Sequence, residues 1–134
     1  MTIPMIIVRT LMGLLLLFSS VSYVLMLMGV FPMPEMPPGA MKTFNEGLAA
    51  SGYFFTLLKI TEFVCGVLLL TGRFVPLALV IISPVIVNIV LTHACLAPSG
   101  IGPGLFLALA NIFLAYYYRD AFKPLLTSKY TPAS

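Results

Sequence analysis

Four apolar stretches, about 6–30, 53–72, 74–96 and 101–118, fill most of this chain and leave it few folds to choose from. A helix rises 1.5 Å per residue, so each stretch spans or nearly spans a hydrocarbon core of about 30 Å. With 60% apolar and 8% charged residues and a mean hydropathy of +1.10, the chain lies far outside the mix used by water-soluble domains. The ten-residue alternation of an outer-membrane barrel strand is missing. The first stretch reads as a span rather than a secretion signal, because its apolar run continues past Ser19, Ser20 and Ser22 and no A-x-A site follows. The expected architecture is all-α: one domain over 1–134, a four-transmembrane-helix antiparallel bundle with an outer loop 31–52 and an inner tail 119–134.

Cations set the orientation. Arg9, Arg73, Arg119, Lys123 and Lys129 flank the starts of spans one and three and the ends of spans two and four, which share one side in hairpin order. That side is expected to be the cytoplasm, with both termini inside and Arg9, Arg73, Arg119 and Lys123 as surface anchors. The net charge of +3 reflects this asymmetry and contact with the lipid bilayer; it does not point to nucleic acid.

Punctuation fills in the rest. Pro32, Pro34, Pro37 and Pro38 are expected to end the first helix and keep the chain extended. Met41, Phe44 and Leu48 then recur at helical spacing opposite Lys42, Asn45 and Glu46, the pattern of a short interfacial helix that Gly52 stops. Gly72 and Arg73 form a tight turn with glycine as the cap. Pro84 lies inside span three, where the Val80 carbonyl loses its usual donor and a kink is expected.

One carboxylate stands out. Glu62 lies within an apolar span, where an ionisable side chain is by default a functional candidate that needs a partner. Counted from the outer surface, Glu62 is about 13 Å deep, Asn88 and Ser22 about 12 Å, and Asn111 roughly 10–15 Å. Lys59 precedes Glu62 at i, i+3, and Tyr23 is near the same level. The expectation is a polar layer of Glu62, Lys59, Asn88, Asn111, Ser22 and Tyr23, contributed by four helices and converging on the interior. The bland alternative is an ion pair plus helix-bridging amides; the preferred reading is the floor of a pocket that exchanges protons or holds a ligand head.

Other chemistry is harder to build. Cys65 and Cys95 differ too much in depth for a disulfide, there is no CxxC, and a single His93 with two remote cysteines supplies neither a haem nor a zinc site. His93 reads as an interfacial hydrogen-bonding residue. The eight methionines and the run Tyr116, Tyr117 and Tyr118 read as lipid-facing filler and an inner aromatic belt.

Several stretches resemble the DoxX family of small bacterial membrane proteins: Ala50-Ser51-Gly52-Tyr53; Glu62 followed by Gly66 and Gly72-Arg73-Phe74; Pro84-Val85-Ile86-Val87-Asn88; and Tyr118-Arg119-Asp120 with Pro124-Leu125-Leu126. The resemblance runs from Arg9 to about Leu126 and implies a four-helix membrane bundle, with Glu62, Asn88 and Arg73 matching the family pattern. Some members are named as subunits of a quinol oxidase or a thiosulfate:quinone oxidoreductase, others are tied to thiol-oxidant defence, and Cys65 and Cys95 are not part of the pattern. The expected function is a non-catalytic subunit of a quinone-linked membrane redox system, dependent on a cofactor-bearing partner. Two alternatives remain. One is a structural accessory subunit or homo-oligomer seated through small residues such as Gly13 and Gly29; the other is a lipid or small-solute carrier, which four spans without an internal repeat make hard to build.

Overall fold

Every regular element among the described residues of the computed structural model, 2–32, 35–129 and 131–132, is helical. In order these are α1 (Thr2–Leu27), α2 (Ala40–Ala50), α3 (Phe54–Thr71), α4 (Val75–Leu96), a 3-10 turn (Pro98–Gly100), α5 (Gly102–Tyr117), α6 (Arg119–Phe122) and a second 3-10 turn (Lys123–Leu126). Three helices, α1, α3 and α4, are long and apolar enough to cross a membrane. At 16 residues α5 is about 24 Å long, short of a full hydrocarbon core.

The first helix starts and stops earlier than expected. It begins at Thr2 because Pro4 falls in the first turn, where its missing amide is no loss. Its end is made by Gly29 rather than by the prolines: at φ 80° Gly29 donates to the Met26 carbonyl and Val30 to the Leu25 carbonyl, the two bonds of a Schellman cap. Pro34 and the last residues of the tail lie outside the described set.

Local chemistry accounts for the other boundaries. Ser51 closes α2 by donating to the Leu48 carbonyl (2.7 Å) and opens α3 by accepting from the Phe54 amide (3.1 Å), with Gly52 at φ 82° between them. Gly72 caps α3 in the left-handed region, its amide on the Leu68 carbonyl. Pro76 sits in the first turn of α4. Around Pro84, Ser83 donates to the Leu79 carbonyl (2.6 Å) and Asn88 to the Pro84 carbonyl (2.9 Å).

Helix α1 packs along α3, α3 against α4, α4 against α5, and α5 returns to α1. Lipid chains are as apolar as leucine, so close van der Waals fit, not exclusion from water, must hold such helices together. The closest fit is where Gly13 of α1 meets Gly66 of α3: a Cβ on either glycine would lie 3.0 Å from the other's carbonyl oxygen. Around this crossing Met12, Leu16, Cys65, Leu69, Leu79, Ile82 and Leu114 are fully buried.

Three expectations change here. Gly13 is turned inward onto α3 and so is no seat for a partner, while Gly29 serves as a helix cap. The methionines are not all filler, since Met5 and Met12 belong to the core. The tyrosine run splits: Tyr116 is exposed, whereas Tyr117 and Tyr118 pack on the core.

Candidate functional site

Helix α3 buries a single stripe, Glu62, Cys65, Gly66 and Leu69, at spacings of three and four. Glu62 therefore continues the face that packs against α1 and is only 3% exposed. Two side chains meet it. Lys59 Nζ lies 3.2 Å from Glu62 Oε2, and Ser19 of α1 donates its hydroxyl to the same oxygen at 3.2 Å. Lys59 also donates to Ser19 Oγ at 2.9 Å, closing a three-membered ring of polar contacts. Tyr23 lies beyond, its ring centroid 5.9 Å from Lys59 Nζ and 6.1 Å from the ring of Phe55.

The ring opens onto a cavity of about 490 Å³ between α1, α3, α4 and α5. Ser19, Ser22, Tyr23, Lys59, Glu62 and His93 are its polar lining; leucines, Phe18, Met26, Ile89 and the Gly100–Gly104 region supply the rest. An ammonium has three protons. Lys59 uses two of them on Ser19 and Glu62, both contacts to Glu62 fall on Oε2, and Oε1 meets no protein donor among the described residues, so one donor and one acceptor remain at the cavity wall.

The expected layer is thus only partly assembled. Lys59, Tyr23 and Ser22 stand with Glu62 in this cavity, although Ser22 makes no side-chain hydrogen bond among the described residues and Ser19 takes the bonding role expected of it. The displacement follows from the end of α1. Ser22 is eight residues from position 30, and Ser19 is eight residues from Leu27, so about 12 Å of depth counted from the actual helix end selects Ser19.

The asparagines go elsewhere. Asn111 Nδ2 donates to Ser83 Oγ (2.9 Å), bridging α5 to α4, and its buried Oδ1 has no partner among the described residues. Asn88 is exposed, bonds within its own helix, and lines a separate cleft of about 370 Å³ beneath α2. That cleft also corrects the expected face of α2: Met41, Asn45 and Leu48 are half-buried while Phe44 is exposed, so Asn45 belongs to the inner side. His93 lines both spaces, with Nδ1 on the Ile89 carbonyl at 2.9 Å and the backbone of Gly100 packed on its ring.

At the opposite end Arg9 is more than a surface anchor. It lies two turns inside α1, half-buried, its guanidinium packed over Gly72 and its Nη1 donating to the Tyr118 hydroxyl at 3.4 Å. One side chain thereby joins α1, the α3–α4 turn and the end of α5. Arg73 is exposed, Arg119 lies over the Tyr116 ring at 4.6 Å, and Lys123 pairs with Asp120 at 2.9 Å. Lys123 holds the Asp120 carboxyl below its usual range.

Among the described residues no three His, Cys, Asp or Glu side chains converge as metal ligands. Cys65 is buried with Sγ 3.7 Å from the Ala78 carbonyl, and Cys95 is exposed; both are free thiols. Comparison of the chain with protein families, with curated proteins and with solved structures finds no match.

Proposed function

We propose that the chain is a DoxX-like four-span antiparallel bundle of the bacterial inner membrane, with α5 as the fourth span and both termini cytoplasmic, and that it serves a quinone-linked redox system as a non-catalytic subunit. The observation that carries the ligand reading is the Lys59, Ser19 and Glu62 ring in the wall of a largely apolar cavity. Ligand sites of this kind combine apolar walls with a few fixed polar groups. A flat ring carrying oxygens fits both remaining groups: the third Lys59 proton for a ligand carbonyl, and Glu62 Oε1 for a ligand hydroxyl. A bound quinone would supply the electron-carrying chemistry. The residues would orient it, exclude bulk water and relay a proton through the Glu62 carboxyl to a quinone oxygen, while electrons come from a partner protein.

The cation asymmetry supports the orientation, and the joint contact of Arg9, Gly72 and Tyr118 supports a common end for the chain's basic positions. The test is purification from native membranes, with mass spectrometry of the associated proteins and extractable small molecules. Quinone and a redox partner are expected with the wild-type chain, and severalfold less quinone with Glu62→Gln. A wild-type complex without quinone, together with unchanged electron transfer in Glu62→Gln, rejects the reading. A stable complex without quinone would favour an accessory structural subunit instead.

A further inference from the structure

The cleft beneath α2 differs in kind from the Glu62 cavity, although Leu58, Ile89 and His93 line both and form the partition between them. Among the described residues no carboxylate, ammonium or guanidinium lines it, and its one other ionisable side chain, His93, holds Nδ1 on the Ile89 carbonyl. The charged pair on its covering helix, Lys42 and Glu46 at 3.9 Å, is exposed on the far side. A carboxylate or phosphate head would therefore find no cation there. Uncharged polar groups do gather in it. Asn88 satisfies one amide proton on the Pro84 carbonyl and Asn45 makes a contact to Met36 Sδ at 3.3 Å; among the described residues neither side-chain oxygen has a protein partner, and Thr92 Oγ1 has none either. Asn88 is exposed and Asn45 and Thr92 are half-buried, so where acyl chains rather than water face the cleft such groups cost free energy unless something meets them.

We propose that this cleft binds an uncharged amphiphile, its hydroxyl- or ester-bearing head against Asn88, Asn45 and Thr92 and its hydrocarbon chain along Phe44, Leu48 and Phe54. The volume of about 370 Å³ lies within the range of small-ligand sites. Hydroxyl protons on the head satisfy the two amide oxygens, and its own oxygen accepts from Thr92. An anionic lipid would have to leave its charge unpaired, so the site selects on charge as well as shape. The assignment is independent of what occupies the Glu62 cavity.

Two probes with the same alkyl chain and the same diazirine decide it: a monoacylglycerol and a fatty acid kept ionised at pH 8. The full chain in lipid nanodiscs is irradiated with each, and labelled peptides are mapped. The neutral probe is expected to label the walls between Met41 and Thr61 and between Pro84 and His93 about fivefold more than the anionic one, saturably. Asn88→Leu and Thr92→Val, at partly or fully exposed positions, are each expected to cut that labelling several-fold, and Lys42→Ala, on the outer face of α2, to leave it intact. Equal labelling by the two probes, labelling that does not saturate, or labelling unchanged in Asn88→Leu overturns the proposal.

Discussion

The half of the molecule around Gly13 and Gly66 and the half beneath α2 are built on the same apolar helices but packed in opposite ways. In the first half two glycines bring α1 and α3 into backbone contact, and Met12, Leu69, Leu79, Ile82 and Leu114 leave no exposed side chain. In the second half Ser19, Lys59, Glu62, Tyr23 and His93 border one space, and Asn45, Asn88 and Thr92 another. Apolar composition alone therefore does not decide where helices seal. Small residues at the crossing decide it in one half, and polar side chains that need partners keep the other half open.

Overfilling the closed half should have the largest effect. Gly66→Val places its Cβ 3.0 Å from the Gly13 carbonyl oxygen, a backbone atom that cannot move aside without shifting a helix. A loss of about 3 kcal/mol is expected in detergent unfolding. An unchanged midpoint would mean that the crossing is not tight.

Next in size is Lys59→Met. It strands the Glu62 carboxylate with only Ser19 as a donor, at an expected cost of about 2 kcal/mol. That lies below the usual range for broken buried pairs because the Lys59 side chain is 20% exposed. Adding Glu62→Gln should recover most of the loss, because the uncompensated charge is then gone. If the double variant is less stable than Lys59→Met, the ion pair is not what Lys59 contributes.

The two asparagines provide a smaller contrast. Asn111→Leu removes the bridge to Ser83 and should cost about 1 kcal/mol, whereas Asn88→Leu on the exposed face should stay within about 0.5 kcal/mol of the wild-type chain. Equal effects would erase the distinction drawn between the layers.

The smallest effect is at the tail. The lowered Asp120 carboxyl gives a contribution present above its unfolded pKa and lost as pH falls through the folded one, so any dependence lies in the acid range. Asp120 is fully exposed, and Asp120→Asn should leave the thermal midpoint at pH 7 unchanged. A clear drop at pH 7 would show that the tail is anchored more firmly than its exposure implies.

Helical class, the Gly72 cap, the amphipathic helix before α3 and the inward placement of Glu62 were all legible from residue type and spacing. Height along a helix was legible too, but only as well as its ends were known. The Schellman cap at Gly29, three residues before Pro32, moved the bonding serine from Ser22 to Ser19. Rotation about the axis was not legible for α4. That helix is apolar all round, so no stripe announces its inner face, and Asn88 is two residues, roughly 200°, from buried Ile86. In α3 the polar residue itself lies on a stripe with Gly66, and there the face could be read.

Whether the two halves differ in access is best measured with thiols. In a Cys95→Ala background, Ser22→Cys adds a thiol to the Glu62 cavity, and native Cys65, with no exposed surface, reports on the closed half. A small cationic methanethiosulfonate should modify Ser22→Cys quickly, should be slowed there by a short-chain quinone analogue, and should leave Cys65 untouched until the protein unfolds. Equal reactivity at the two positions, or none at Ser22→Cys, would contradict the division into a sealed half and an open one.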